Sequence, residues 1–198
     1  MNRKEIKQVV IGTQQWMAAN LNVRTFRNGD PVRLVISKEE WAAAAEQGLP
    51  ACCFFEHMQW IGRRFGKLYN WYAVNDPRGL APEGWHIASD REWELLVEAL
   101  GGRELAGNRL KSKKEWEEPG GTNQSRFSAL PGCCRDRNGD FRGIEDDQHW
   151  WKSWGYWWTS TPNDIETAWC RNLHSSGSFI YRDAFYKGYG FSVRCIKD

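Results

Sequence analysis

Several features that would announce a function are missing from this sequence of 198 residues. No apolar run approaches the ~20 residues that a membrane-spanning helix needs. The 27 basic and 25 acidic side chains nearly cancel, leaving a net charge of +2, so no general field attracts nucleic acid or an acidic membrane. We therefore expect a soluble protein that binds no nucleic acid and inserts into no membrane.

Motifs for common catalytic chemistry are also missing. Neither GxGxxG nor GxxxxGK[ST] occurs, which excludes the usual nucleotide cradles. The four histidines are His57, His86, His149 and His174, and none stands in a nucleophile elbow or beside a protease-type cysteine. We predict that the protein is not an enzyme, that His86 makes a structural hydrogen bond, and that His174 is a surface contact residue.

The cysteines have neither metal-binding nor disulfide spacing. Cys52-Cys53 and Cys133-Cys134 are vicinal pairs, and Cys170 and Cys195 stand alone. A disulfide between vicinal cysteines is strained, and no CxxC spacing is present to suggest zinc. Reduced thiols are therefore predicted.

One acidic segment resembles part of a calcium loop. Asp136-Arg137-Asn138-Gly139-Asp140 has the D-x-N-G-D spacing and is followed by Glu145-Asp146-Asp147. Position 12 of that loop would be Asp147, whereas an EF-hand needs a bidentate Glu there. A hairpin turn explains Asn138-Gly139 without a metal. We predict no cofactor, with calcium kept as the alternative.

Tryptophan is the abundant residue, with 13 copies. Aromatic rings supply large contact areas and are enriched at binding surfaces. They also fill cores, and we expect about two-thirds of these rings to be buried. The remainder are candidates for recognition.

Two helices are predicted from capping boxes. Ser37 with Glu40 opens the first, which ends at Gly48, and Ser89 with Glu92 opens the second, which ends at Gly101. The second helix has an apolar face formed by Trp93, Leu96, Val97 and Leu100.

Short strands and turns account for the remaining pattern. Residues 9–11 and 15–17 read as two strands joined at Gly12. From Leu110 onward, short aromatic runs alternate with turns rich in Gly, Ser and Asn, which is typical of antiparallel strands with long loops. The sequence therefore predicts one α+β domain over residues 1–198, with two helices and short antiparallel strands.

Blocks spread along the chain carry a family resemblance. They are residues 11–17 (IGTQQWM), 27–31 (RNGDP), 66–74 (GKLYNWYAV), 82–87 (PEGWHI), 127–132 (FSALPG), 156–160 (YWWTS) and 190–195 (GFSVRC). In this order they resemble the major paralogous domain family first recognised in Fibrobacter succinogenes. That resemblance implies a C-type-lectin-like fold.

The resemblance also implies a variable region near the C-terminus. Related proteins include targets of diversity-generating retroelements, in which adenine-directed mutagenesis rewrites Asn codons but cannot create Lys, Glu, Gln, Met or Trp. Lys187 is the only member of that excluded set between Cys170 and Tyr189. Residues 170–189 are therefore the candidate hypervariable region.

The composition of the same segment favours a contact surface. Binding loops are rich in Tyr, Ser, Gly and Asn, because rigid rings supply area and small polar groups adapt their hydrogen bonds. In an extended strand, Phe179, Tyr181 and Asp183 share one side, with Ile180 and Arg182 on the other. Packing of these rings into the core is the alternative. The predicted ligand-binding residues are Asn172, His174, Ser175, Ser176, Phe179, Tyr181, Asp183, Phe185, Tyr186 and Tyr189, with Arg171, Arg182 and Lys187 expected to tie the segment to the scaffold.

Three functions follow from these features. The first is a receptor-binding module whose diversified surface recognises a protein or carbohydrate on a cell surface. The second is a structural adhesin, pilus or lipoprotein domain without a variable face. The third is a copper oxidase of the formylglycine-generating type, which resembles this fold and would use Cys170 and Cys195.

The N-terminus bears on the expected location. Residues 1–7 are charged and no apolar segment follows them, so no secretory signal is recognisable. Cytoplasmic synthesis of a virion component such as a phage tail tip is the expectation, and a bacterial cell surface is the alternative if a leader was removed.

Overall fold

A computed structural model describes residues 6–117, 120–142 and 152–198. The described chain mixes helices with two sheets, which confirms the α+β class. The helices are α1 (Lys38–Glu46), α2 (Gln59–Phe65), α3 (Trp71–Val74), α4 (Asp90–Ala99) and α5 (Arg103–Leu110). The strands are β1 (Gln8–Ile11), β2 (Gln14–Met17), β3 (Cys52–Cys53), β4 (Leu68–Asn70), β5 (Trp85–Ile87), β6 (Cys134–Arg135), β7 (Phe141–Arg142), β8 (Trp154–Pro162), β9 (Thr167–His174), β10 (Ile180–Tyr186), β11 (Gly190–Val193) and β12 (Cys195–Lys197).

The C-terminal strands connect the two sheets. The smaller sheet has the order β1-β2-β12-β5, and the larger has the order β10-β9-β8-β11-β4-β3, with β6 pairing to β11 and β7 to β6. β8 and β11 run parallel, with Ser192 opposite Trp157, whereas the other strand pairs are antiparallel. Adjacent strands β11 and β12 belong to different sheets, so this short segment holds both sheets together.

The predicted N-terminal hairpin and both predicted helices are confirmed. Gly12 turns between β1 and β2 at φ +59°, a left-handed conformation that favours glycine. The Ser37 hydroxyl accepts the backbone N–H of Glu40 at the start of α1. Ser89 and Glu92 form a complete capping box at α4, and the predicted apolar face of that helix is buried.

Three further helices, α2, α3 and α5, were not predicted, because their sequence signals are weak. Neither Met58 before α2 nor Gly102 before α5 provides a side-chain cap, and α3 spans a single turn. Tertiary packing stabilises such short helices. In α5, a Cβ on Gly107 would lie 2.5 Å from the Phe179 carbonyl oxygen, so the glycine lets α5 approach the segment before β10.

Arg194 lies at the centre of the molecule with none of its surface exposed. Its guanidinium donates to Asn20 Oδ1 at 2.7 Å and to the carbonyl oxygens of Met17 at 2.7 Å, Phe127 at 2.8 Å and Ser128 at 3.1 Å. It also stacks over the Phe127 ring at 4.2 Å. Burial lowers its pKa, and the oxygen acceptors offset that desolvation of the cation.

Replacement of Arg194 by lysine should therefore destabilise the fold. An ammonium group cannot reproduce the planar fork of donors, and buried acceptors would lose partners, so we expect Arg194→Lys to lower the free energy of unfolding by about 3 kcal/mol. Urea denaturation measures the loss. Arg91→Lys, on the exposed side of α4, is the matched control. Equal stability of the two variants would show that the Arg194 contacts are dispensable.

Burial accounts for most of the tryptophans and for all of the thiols. Of the eleven tryptophans in the described part of the chain, eight are buried: Trp16, Trp41, Trp71, Trp85, Trp93, Trp116, Trp157 and Trp158. All six cysteines are buried and free, which agrees with the prediction of reduced thiols. In the described ranges, no helix is both long and apolar enough to cross a membrane.

Candidate ligand-binding surface

Strands β8, β9 and β10 lie side by side and present a common face. Asn172 on β9 pairs with Tyr156 on β8 and with Tyr181 on β10. Directly opposed residues point to the same side of a sheet, and so do residues two positions apart on a strand. The "β8–β10 face" is therefore formed by Trp154, Tyr156, Asn172, His174, Tyr181, Asp183 and Phe185.

Rings on this face brace one another down to the core. Tyr156 stacks between Trp154, at 5.8 Å between ring centroids, and Phe191, at 5.0 Å. Phe185 contacts both Tyr156 and Phe191 edge-on, and Trp154 contacts Tyr181 at 5.9 Å. Because Phe191 is fully buried, the partly exposed rings rest on a fixed base.

The opposite side of the same strands is tied to α4 by charge. Asp90, in the first turn of α4, accepts from Arg171 at 2.6 Å and from Arg182 at 2.9 Å. Arg182 also lies over the Trp169 ring at 3.4 Å. These contacts confirm that Arg171 and Arg182 tie the segment to the scaffold, and the alternation predicted along residues 179–183 is confirmed as well.

The end of β10 has a similar tie. The Lys187 ammonium donates to the carbonyl oxygens of Asp164 at 2.8 Å and Ile165 at 2.9 Å, in the β8–β9 turn. It lies over the Trp71 ring at 4.8 Å. The predicted scaffold role of Lys187 is thus confirmed.

A further anchor, Lys111, was missed from the sequence. Its side chain is buried, and its Nζ donates to the carbonyl oxygens of His174 at 3.0 Å, Ser175 at 2.7 Å and Gly177 at 2.7 Å. Burial lowers the pKa of Lys111 to about 8, so the ammonium form predominates at neutral pH. The β9–β10 loop therefore closes around one cation. A lone lysine after a helix gives no sequence signal for this role.

The predicted contact residues fall into three groups by exposure. Tyr181 and Tyr186 are 38% and 41% exposed. Ser176, Tyr181, Asp183 and Tyr186 are exposed, and His174, Phe179, Phe185 and Tyr189 are half-buried, whereas Asn172 and Ser175 are buried.

Asn172 and Ser175 are the corrections to that set, because neither reaches the surface. Asn172 is 2% exposed in the middle of β9, the strand between β8 and β10, and its Nδ2 donates to Asp183 Oδ2 at 2.8 Å. Ser175 is 3% exposed. Its backbone N–H donates to the Ser153 carbonyl oxygen at 2.8 Å, and its own carbonyl accepts from Lys111.

His86 makes the structural hydrogen bonds that were predicted for it, and His174 lies half-buried at the end of β9. His174 Nδ1 lies 2.7 Å from the Ser176 hydroxyl, and its ring contacts Trp154 edge-on at 4.5 Å; burial lowers its pKa. His86 lies 2.7 Å from both Glu92 and Asp198, a structural role. His149 lies outside the described residues.

Two residues of the β8–β10 face, Trp154 and Tyr156, were not predicted. They belong to β8, which precedes the candidate variable segment. The sequence signal was present, since Trp154, Tyr156 and Trp158 alternate along a strand. That alternation shows a shared side but not which side faces solvent.

The acidic segment forms a hairpin turn, as the metal-free interpretation of Asn138-Gly139 predicted. Asp136 Oδ1 accepts the backbone N–H groups of Asn138 and Asp140, each at 2.9 Å, and the Asp140 carboxylate contacts Lys38 at 2.6 Å. Both carboxylates are thus engaged within the protein. Residues 145–147, which would complete a calcium loop, lie outside the described residues.

The two cysteines of the copper alternative lie in different sheets, Cys170 on β9 and Cys195 on β12. Both are completely buried. Burial raises the pKa of Cys195 to about 12 and raises that of Cys170 as well. Since metal ligation uses the thiolate, this geometry gives the copper-oxidase alternative no support.

Replacement of Lys111 should loosen the loop that carries His174 and Ser176. Lys111→Met keeps an unbranched side chain, one atom shorter than that of lysine, and leaves three carbonyl oxygens without their donor. We expect faster amide hydrogen exchange at residues 174–178, together with a loss of about 1–3 kcal/mol in stability. Lys113→Met, at an exposed position two residues away, is the control. Unchanged exchange in Lys111→Met would contradict an anchoring role.

Comparison with known families identifies a domain that covers almost the whole chain. Residues 9–197 match the model of the Fibrobacter succinogenes major domain. Neither the curated proteins nor the solved structures gave a match.

Proposed function

The chain belongs to the Fibrobacter succinogenes major domain family, and on that premise we propose that it is a binding module. In this proposal the fold is C-type-lectin-like, and the exposed and half-buried side chains of the β8–β10 face, with the adjoining residues Ser176, Phe179, Tyr186 and Tyr189, recognise a receptor on a cell surface. The part of this surface that lies within residues 170–189 is the hypervariable product of a diversity-generating retroelement, and Trp154 and Tyr156 on β8 are its constant support. Either a virion component or a bacterial surface protein would present this face to such a receptor.

The proposal rests on the difference between the two sides of β10, because one side is held against the scaffold and the other faces outward. Ile180 and Arg182 are held against the scaffold, the latter through Asp90, while Tyr181 and Asp183 face outward. Outward residues can change with little effect on folding, because their neighbours do not depend on them for packing. A binding surface that tolerates diversification needs this separation.

The aromatic content supports recognition over a purely structural surface. Rigid Tyr and Trp rings lose little conformational entropy when they bind, so exposed rings on a braced base favour affinity. Tyr181 on the β8–β10 face is 38% exposed, and Tyr186 at the end of β10 is 41% exposed, so both rings are accessible to a partner.

Stability measurements test whether the exposed side chains of the face contribute less to folding than the buried core beneath them. Tyr181→Ala should change the free energy of unfolding by less than about 1 kcal/mol, because the ring is exposed. Phe191→Ala removes a fully buried ring and should cost about 3–5 kcal/mol. Urea denaturation of both variants decides the point. A large loss in Tyr181→Ala would mean that the face is part of the core.

Selection against a ligand library tests recognition itself. Immobilised protein is screened against randomly displayed peptides and an array of cell-surface glycans. We expect selected ligands to lose at least about tenfold in affinity, or about 1.4 kcal/mol, for Tyr181→Ala. Trp60→Ala is the matched control, since Trp60 is an exposed ring on α2 (59% exposed). Ligands affected only by Trp60→Ala would place recognition elsewhere.

The flanking DNA tests diversification separately. We expect a reverse transcriptase gene and a near-copy of the 3′ coding end that differs at adenines. The differing codons should include those of exposed residues such as Tyr181 and Asp183, and should spare Arg171 and Lys187, which hold the scaffold. Absence of both elements would favour a non-variable adhesin.

A further inference from the structure

We propose that the centre of the β8–β10 face binds a basic side chain, arginine or lysine, of a protein partner. This inference rests on the proposed function and names the chemistry of the ligand for this particular copy of the surface. It depends on two oxygen acceptors, Asp183 and Asn172, and on the rings around them.

Asp183 is an exposed carboxylate that has no cation of its own. Among the described residues no basic side chain forms an ion pair with it, and its recorded partner is the Asn172 amide. Asp90, by contrast, holds two guanidinium groups on the opposite side of the same strands. The outward carboxylate therefore keeps its capacity to accept hydrogen bonds from a cation.

Asn172 supplies a second hydrogen-bond acceptor, the oxygen of its side-chain amide. Its Nδ2 is committed to Asp183, whereas its buried Oδ1 has no hydrogen-bond donor among the described residues. Buried carbonyl groups are ordinarily paired, so an orphaned one at the centre of a binding face is a candidate for pairing by a ligand. Because Asn172 is only 2% exposed, binding at this oxygen requires neighbouring side chains to move.

The surrounding rings favour a cation over an anion. Trp154 and Tyr181 contact each other on this face, and the negative face of an aromatic ring attracts ammonium and guanidinium groups. His174 adds no competing charge, because burial lowers its pKa. Carboxylate, amide oxygen and ring faces are all electron-rich, and a guanidinium combines hydrogen-bond donors with a planar face that stacks on rings.

A matched pair of small probes tests the inference. Nα-acetyl-arginine amide is titrated into 15N-labelled protein, and Nα-acetyl-citrulline amide, its uncharged isostere, serves as the control. We expect millimolar binding of the arginine probe, with shifts at the Asn172 side-chain amide and at Tyr181, and binding of the citrulline probe at least about tenfold weaker. Equal binding of both probes, shifts confined to another surface, or no saturation at about 50 mM would overturn the inference.

Charge-changing variants localise the effect. Asp183→Asn should abolish the preference for arginine over citrulline. Glu98→Gln, which removes one exposed carboxylate on α4, should preserve it. An unchanged 15N spectrum away from the face shows that Asp183→Asn is folded. A retained preference in folded Asp183→Asn would overturn the inference.

The same library selection separates this inference from the proposed function. Selected peptides that contain Arg or Lys, and that bind Asp183→Asn at least about tenfold less tightly, support both. Ligands that depend on Tyr181 but carry no basic group, including glycans, leave the binding module intact and overturn the cationic ligand. Ligands that ignore Tyr181 contradict the proposed function itself.

Discussion

The buried guanidinium of Arg194 joins segments that are remote in the sequence. It binds Asn20 and Met17 near the N-terminus and the carbonyl oxygens of Phe127 and Ser128 in the middle of the chain. Arg194 itself stands between β11 and β12, where the chain passes from one sheet to the other. Neighbouring hydrogen bonds reinforce this junction, because Asn20 Oδ1 also accepts from Trp157 at 2.9 Å. The relative position of the two sheets thus depends on one buried cation and its acceptors.

Cations repeat this role around the candidate surface. Arg171 and Arg182 hold the inner side of β9 and β10, Lys111 holds the loop between them, and Lys187 holds the end of β10. Each donates hydrogen bonds to oxygen atoms, so the anchors are directional and fix the backbone position. The backbone of β9 and β10 is consequently held by these anchors and not by the exposed side chains of the face. A binding surface of this kind can change its residues while its frame stays in place.

How much of this was predictable differs between the scaffold and the surface. The α4 helix, the N-terminal hairpin and the alternation along residues 179–183 follow from local patterns, and all were correct. The helices α2 and α5 were missed because they lack side-chain caps, and α3 was missed because it spans a single turn; all three owe their stability to packing. Among the predicted contacts, Asn172 and Ser175 proved buried. Residue type could not reveal this, since small polar residues suit both a surface and a satisfied interior.

By itself, the sequence determined the family, the α+β class and the alternation of side chains along residues 179–183, because local periodicity and short motifs encode these directly. It also identified Arg171, Arg182 and Lys187 as anchors. Only the tertiary structure decided which side of each strand meets water, that Trp154 and Tyr156 from β8 join the surface, and that Lys111 closes its loop. The physical reason is that these features depend on pairing between β8, β9 and β10 and on the packing of α4 and α5, which no local pattern specifies.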